Sequence, residues 1–426
     1  MSGTVGVGLV GLGTVGSAVA GRLLGAWELL SARAGATPVL RRVAVRDPNR
    51  QRSVDLRRVP VDSDPEALVD DPGVNIVVEV MGGVDRATAL MERALVAGKA
   101  VVTANKAALA AHGPELQALA AEHGTSLRYE AAAGAGLPVV ALLRDSLRGD
   151  HVISLEMIIN GTTNVILSAM ERDGSSLDAA LATAQRLGYA EADPSADVDG
   201  FDAAAKLTLL SRLAFESPFS VDDVFVTGIR AVEAADIACA RSLGGSVKLV
   251  ARARRGAGGV SLRVEPSIVF PGHPLHGVDD GENSVVVSGD LAGTIVLRGP
   301  GAGGASTASA VVADVVAAVS EPGRVFSAVD AGLAAAADES ERRWYLRLAL
   351  RPIADSAELA VQALEDRGVA VEASTTLPGG TAGSLRQLAV LCGTVTADVA
   401  GRAAETLDSL SAVDSVAALM PCLEGA

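Results

Sequence analysis

Apolar and polar positions along this chain change period several times, and each change marks an element. Val5–Val10 is a short continuous apolar run and reads as a buried strand. From Thr14 to about Leu30 the apolar residues Val15, Val19, Leu23 and Leu24 recur at helical spacing, which predicts a helix. Short apolar strands and helical stretches then alternate. Strands are expected at Val39–Arg46, Asn75–Val80, Ala100–Thr103 and Ser126–Tyr129, and helices at Asp85–Ala97, Ala107–His123 and Gly136–Leu147. That order predicts an α/β unit with a doubly wound parallel sheet.

Near residue 148 the rhythm shifts. Strand Ile153–Asn160 precedes four helical patterns, Thr163–Arg172, Ser176–Leu187, Phe201–Phe215 and Ala231–Leu243. Strands Ser246–Ala253, Val260–Val264, Ser284–Gly289 and Gly293–Leu297 follow, separated by turn signals, so a mixed, largely antiparallel α+β region is expected. A second glycine-rich loop, Gly299-Pro-Gly301-Ala-Gly303-Gly304, leads into a helix that returns the chain to the first unit. Residues 321–342 have the composition of a linker. The tail reads strand Trp344–Leu350, helix Ser356–Arg367, strands Val369–Ser374 and Leu385–Cys392, helix Ala397–Leu410 and strand Val413–Leu419, a βαββαβ ferredoxin-like unit. The expected division is 1–148 with 299–320 returning, 149–298 for substrate and dimerisation, the linker 321–342, and 343–426.

Composition narrows the partners. A chain of 426 residues expects two or three domains, and an aromatic content of 3% expects an Ala/Val/Leu core. The net charge of −15 argues against nucleic acid and anionic membrane surfaces. No apolar stretch approaches ~18 residues, so no membrane span is expected. The three cysteines, Cys239, Cys392 and Cys422, lie far apart without a C-x-x-C, which reads as a reduced, cytoplasmic chain with no structural metal. His273 and His276 have no third ligand nearby in sequence and read as loop residues.

The candidate chemistry begins at Gly11-Leu-Gly13-Thr14-Val15-Gly16. A strand precedes this G-x-G-x-x-G and a helix follows it, the context a dinucleotide pyrophosphate needs, so the first unit reads as Rossmann-type. At the end of the next strand Asp47 suits ribose hydroxyls, whereas Arg46 and Arg50 suit a 2′-phosphate. NADP(H) is favoured on that basis and NAD(H) stays open. Thr103-Ala-Asn-Lys106 lies at another strand end, facing the same crevice as Gly82-Gly83. A cation at a helix N-terminus is unfavourable, so Lys106 calls for an anion nearby. In Glu130-Ala-Ala-Ala-Gly-Ala-Gly-Leu-Pro138 one carboxylate and exposed carbonyls could hold a cation, but a close-packed connection explains the stretch too, and no metal is read from it alone. Thr162, in Asn160-Gly-Thr-Thr-Asn164, is the expected helix cap.

Gly188–Lys206 is the densest stretch. It carries the carboxylates Glu191, Asp193, Asp197, Asp199 and Asp202 before the single Lys206. Asp202 and Lys206 stand at i and i+4 on one helix face. Taken alone, a surface ion pair is the commoner outcome. The crevice motifs upstream give the pair a substrate to face and tip the reading to a reacting lysine.

These motifs resemble homoserine dehydrogenase over about the first 320 residues. The match runs through the fingerprint, Thr103–Lys106, Tyr129–Pro138, Asn160–Asn164 and the whole of Ala184–Lys206. The tail resembles an ACT domain. The resemblance implies reversible reduction of L-aspartate 4-semialdehyde to L-homoserine with NAD(P)H, on the route to threonine, methionine and isoleucine. It implies that Lys206 donates the proton, that Lys106 is a second lysine beside cofactor and substrate, and that Glu191 and Asp202 bind substrate. It implies close approach of Gly188 and Gly303 to the cofactor and a sodium ion on Glu130, Ala133, Ala135 and Leu137. A homodimer or homotetramer is expected, with an amino-acid effector such as threonine at the tail. There Ala354-Asp355-Ser356-Ala357-Glu358-Leu359 lacks the glycine that the pattern carries. A thiol-dependent semialdehyde dehydrogenase is disfavoured because no cysteine lies near the crevice motifs. A hydroxy-acid enzyme with a histidine base is disfavoured by the helical placement of His112 and His123. The remaining alternative is a non-catalytic NAD(P)- and amino-acid-binding sensor, against which the intact Glu191, Asp202 and Lys206 argue.

Overall fold

The computed structural model of the protein describes residues 3–56, 58–325, 332–377 and 385–425. Its first sheet has six parallel strands: β1 (Thr4–Val10), β2 (Thr37–Ala44), β3 (Val61–Asp62), β4 (Ile76–Glu79), β5 (Ala100–Thr103) and β6 (Leu127–Arg128). Their order, β3-β2-β1-β4-β5-β6, reverses between β1 and β4, so a crevice opens at the carboxyl ends of those two strands. The expected doubly wound sheet is therefore present. The returning helix Gly304–Ser320 packs across it. Its Val311 and Val315 share one core with Val7, Leu9, Val78 and Val102.

Local differences have local causes. The helix expected from Thr14 to Leu30 is two helices, Thr14–Gly25 and Trp27–Ala34, broken at Ala26 directly after a glycine. β3 and the helix Pro65–Asp70 are too short to show a period, although Asp64 caps that helix and Pro65 opens it. Lys106–Glu122 bends at His112, because Pro114 cannot continue the hydrogen-bond ladder. The helix expected over Gly136–Leu147 begins only after Pro138, as Val139–Ala141 running into a π-helical turn at Leu142–Ser146. Glu130–Ala133, expected as loop, forms a helical turn.

The second sheet has ten strands. They are β7 (Val152–Ile158), β8 (Phe225–Val226), β9 (Ser246–Gly256), β10 (Gly259–Val269), β11 (Glu282–Gly289), β12 (Gly293–Pro300), β13 (Arg342–Leu350), β14 (Val371–Leu377), β15 (Arg386–Val395) and β16 (Val413–Leu423). The path is β12-β11-β7-β9-β10-β16-β13-β15-β14, with β8 also on β10. The tail has its βαββαβ order, with helices Ser356–Glu365 and Ala397–Asp408. In the turn after β13, Asp355 adopts a left-handed backbone (φ 56), a conformation Asp tolerates better than most residues. β16 pairs in parallel with β10 (Ile268 with Cys422, Val269 with Leu423), so the tail continues the sheet begun by β7.

The stretch with linker composition is tied down where it is described. Val260 donates to Ala334 O and accepts from Ala336 N, each at 2.9 Å. Residues 326–331 of that stretch lie outside the described residues. A buried ion pair adds to the seam: Arg347 Nε lies 2.7 Å from Asp236 Oδ1, and the Tyr345 hydroxyl donates to the same oxygen at 2.9 Å. Asp236 is wholly buried, on the helix Ala234–Ser242. One continuous core joins Met91 and Leu109 under the first sheet to Phe215, Val264 and Val287, and on to Tyr345 and Met420 of the tail. Among the described residues no helix is long and apolar enough to cross a membrane.

Asp236→Ala leaves the Arg347 guanidinium buried with Glu233 alone as its counter-ion. The expected loss of stability is about 3 kcal/mol, read as a lower urea midpoint. Asp236→Leu combined with Arg347→Met is expected to recover most of it, since it removes both charges together.

Candidate active site

The dinucleotide fingerprint adopts the geometry its glycines allow. Gly11 turns the chain with φ 99, and a Cβ on Gly16 would lie 2.2 Å from the Gly11 carbonyl oxygen. At Gly13 a Cβ would meet nothing within 4 Å, which leaves the space above the helix open. The first amide bonded within that helix is Ser17 N, to Gly13 O at 2.9 Å. The amides of Thr14, Val15 and Gly16 precede it and are donors for an anion, while the Val15 side chain packs into the core. The second glycine loop arrives at the same place. A Cβ on Gly304 would lie 2.7 Å from Thr14 Cγ2, and Gly303 (φ 125) stands at the start of the returning helix. Two helix N-termini thus converge on one cleft.

The cleft's outer wall is the loop after β2. Arg50, Arg52 and Ser53 line it together with Gly13, Thr14 and Ser17. Arg52 folds the loop, donating to the carbonyls of Asp47, Pro48 and Arg50. Asp47 accepts from Asn49 N at 2.9 Å and so closes its own turn. Arg46 is exposed at the end of β2.

A buried acid organises the strand ends. Glu79 accepts from Met81 N and Gly82 N on one oxygen and from the Thr103 hydroxyl on the other at 2.6 Å. Thr103 Oγ1 receives Asn105 N, and Asn105 donates to Gly83 O and caps the helix that starts at Lys106. This network aims Lys106 across the crevice. Its Nζ lies 2.9 Å from Asp202 Oδ1, which supplies the anion that a lysine at a helix N-terminus requires.

Asp202 is the centre of the site. Its side chain is 8% exposed and accepts from Lys206 Nζ at 2.7 Å and from Asn160 Nδ2 at 2.9 Å, both on Oδ2. Burial pushes this carboxyl upward, but Lys206 and Lys106 outweigh burial and hold it well below the usual carboxylate range. For Lys106 burial pulls the ammonium down; Asp202, with Asp197 and Glu191, more than offsets it and the net shift is upward. Lys206 also donates to Ile159 O at 2.8 Å, so two of its three N–H donors are committed and one is left for the crevice.

The helix cap at Asn160–Asn164 corrects the sequence reading. Asn160, not Thr162, caps Gly161–Asp173, its Oδ1 accepting from Thr163 N at 2.8 Å. That leaves its Nδ2 free to join Asp197 at 2.6 Å to Asp202. Thr162 donates to Tyr189 O instead. Glu191 sits on the exposed turn beyond Gly188 (φ 80), within electrostatic reach of Lys106. Asp193 binds Ser195, and Asp199 binds Arg230.

Farther along, Glu130 is buried and both its oxygens accept amides, from Val140 at 2.8 Å and Ala141 at 2.7 Å. Burial raises its carboxyl to about 7. Ala133 and Leu137 are buried beside it, and Ala135 turns the loop with φ 53.

Two family profiles match this chain: "Homoserine dehydrogenase, NAD binding domain" over residues 11–130 and "Homoserine dehydrogenase" over residues 138–316. The homoserine dehydrogenase of Synechocystis sp. is 45% identical over 322 residues, covering 74% of this chain and 73% of its own length. The chain belongs to the homoserine dehydrogenase family. The crystal structure of a homoserine dehydrogenase from Thiobacillus denitrificans aligns over 100% of both chains with a TM-score of 0.91 at 33% identity. A hyperthermophilic archaeal homoserine dehydrogenase in complex with NADPH aligns over 76% of this chain and 99% of its own, with a TM-score of 0.63 at 28% identity. A homoserine dehydrogenase is an NAD(P)-dependent oxidoreductase acting on a CH–OH group.

Several residues that build this homoserine dehydrogenase site are silent in sequence. Asn160 opens the Asn160–Asn164 motif, where Thr162 is the residue read as the cap. Glu79 ends an apolar strand with no signal beyond its charge, and Thr103 stands in the Thr103–Lys106 motif without an assigned role. The Ile159 carbonyl has no sequence signal at all.

Asp202→Asn keeps the shape and removes the charge between two ammonium groups. A stability loss of about 2–3 kcal/mol is expected, reduced from a fully buried pair because the Lys106 side chain is 43% exposed. In the parent the depressed carboxyl contributes stability that is complete above the ordinary value near 3.8 and is lost as the pH falls through its folded value. The gap in melting temperature between parent and variant should therefore shrink as the pH drops from about 5 to about 2. A constant gap would rule this out.

Proposed function

We propose that Lys206 delivers the proton when this homoserine dehydrogenase reduces L-aspartate 4-semialdehyde, and that Lys106 stabilises the same oxygen from the other side. The observation that carries this reading is the placement of two ammonium groups on one buried carboxylate, with an uncommitted N–H on Lys206. The bound nicotinamide supplies the hydride, which goes to the aldehyde carbon. The negative charge that develops on the carbonyl oxygen is met by Lys206, whose proton completes the hydroxyl. In the reverse direction Lys206 is neutral and takes the hydroxyl proton, so homoserine oxidation rises with pH. Asp202 fixes both lysines, and Glu191 and Asp202 face the α-ammonium group of the substrate.

NADP(H) is the preferred cofactor in this reading. Asp47 is spent on its own turn rather than held out for a ribose, while Arg50 lines the cleft and Arg46 stands exposed beside it. The pyrophosphate is assigned to the amides of Thr14–Gly16, and Gly188 and Gly303 to close approach. Sodium is assigned to Glu130 with the carbonyls of Ala133, Ala135 and Leu137; Glu130 is a buried carboxylate whose two oxygens each accept one amide, and a hard cation would favour its charged form.

Two outcomes are expected. With aspartate semialdehyde, loss of NADPH absorbance should exceed loss of NADH absorbance, and Lys206→Ala should abolish both while NADPH binding by fluorescence stays near the parent value. Turnover by Lys206→Ala would sink the proton-donor role. Replacing choline chloride with sodium chloride at equal ionic strength should raise the melting temperature of the parent and leave Glu130→Gln unmoved; equal responses would remove the sodium site.

A further inference from the structure

Asn283, the second residue of β11, is wholly buried next to the site and takes no part in the chemistry described so far. Its Nδ2 lies 3.4 Å from the carbonyl oxygen of Ile159 and 3.4 Å from that of Gly301. A primary amide has two N–H donors, so each carbonyl can take one. A flipped amide would set Oδ1 against both carbonyls, which fixes the orientation. Oδ1 itself has no hydrogen-bond partner among the described residues. A buried, unpaired amide oxygen is costly, and an apolar side chain of similar size would avoid that cost. A polar role has to outweigh it.

The two carbonyls flank Asn283 at the ends of its neighbouring strands, Ile159 after β7 and Gly301 after β12. Ile159 O is the acceptor that holds Lys206 Nζ at 2.8 Å. Gly301 lies in the returning glycine loop, which reaches Thr14 of the fingerprint three residues later. The loop is pressed onto the amide: a Cβ on Gly301 would sit 2.3 Å from Asn283 Oδ1. Gly301 is held from its other side by its own N–H, which donates to Gly281 O at 3.0 Å.

We propose that Asn283 is a positioning residue that ties the carbonyl orienting Lys206 to the glycine loop at the cofactor cleft, holding proton donor and cofactor in one register. The inference rests on the reading of Lys206 as the proton donor. Without the Asn283 donor, Ile159 O is left to the Lys206 ammonium alone, binds it more tightly, and favours its charged form. Reduction then suffers from misplaced geometry, and oxidation needs a higher pH to free the base.

The test compares Asn283→Ala and Asn283→Leu with the parent in the full chain; leucine fills the space of asparagine without its donors. Both variants are expected to lower kcat for semialdehyde reduction roughly ten- to hundredfold, the scale on which small misplacements of reacting groups act. The alkaline limb of homoserine oxidation should move to higher pH in both, with the Kd for NADPH within about threefold of the parent. A leucine variant with kcat within about twofold of the parent, or an unmoved limb, overturns the role. Failure of both variants to fold assigns Asn283 to packing and also overturns it. Lys206→Ala separates the two readings: if it still turns over, the proton-donor reading has failed, whereas an inactive Lys206→Ala beside a fully active Asn283→Leu overturns the present inference alone.

Discussion

Everything at this site depends on one carboxylate balancing two ammonium groups. Asp202 is almost fully buried, and without Lys106 and Lys206 its charge would be prohibitively costly there. Equally, the lysines could not approach each other without it. The two cations stand together in a chain whose net charge is −15, held by Asp202 with Asp197 and Glu191 at longer range. The protein as a whole repels anions, so the few groups that attract them have to be placed close to where they act.

Placing them requires three separated segments to meet. The Phe201–Phe215 helix brings Asp202 and Lys206, and its Leu207, Leu210 and Phe215 are wholly buried. The end of β5 brings Lys106 through a helix capped by Asn105. The end of β7 brings Ile159 and Asn160. Each contact is polar, but each is mounted on an apolar core, and polar groups at the junction are shared rather than duplicated. Asn160 caps a helix with its oxygen and binds two carboxylates with its nitrogen.

What could be read from the sequence followed from period and spacing. The alternation of short apolar runs with helical stretches gives the parallel sheet, and i, i+4 spacing brings Asp202 to Lys206. Lys106 could be flagged only as a cation lacking an anion, because its partner is 96 positions away and sequence spacing carries no long-range distance. Thr162 was the expected cap because threonine caps well; the structure prefers Asn160, one residue outside the helix, because the cap position also faces Asp202. The joining of the tail and residues 149–298 into one sheet is invisible for a similar reason. It depends on a two-residue parallel pairing between β10 and β16 across about 150 residues, which leaves no pattern in either strand.

That pairing has a consequence for the exposed side of β10. Beyond its partner β9, the strand is covered by three separate patches: the 334–336 segment at Val260, β8 at Arg263–Val264, and β16 at Ile268–Val269. None covers much alone. Together they occupy a row of backbone donors and acceptors that would otherwise invite pairing with a neighbouring molecule. The tail is thus also a guard against aggregation: a chain that lost it would lose the β16 patch, and one cut before residue 334 would lose the patch at Val260 as well, leaving a sticky edge on β10.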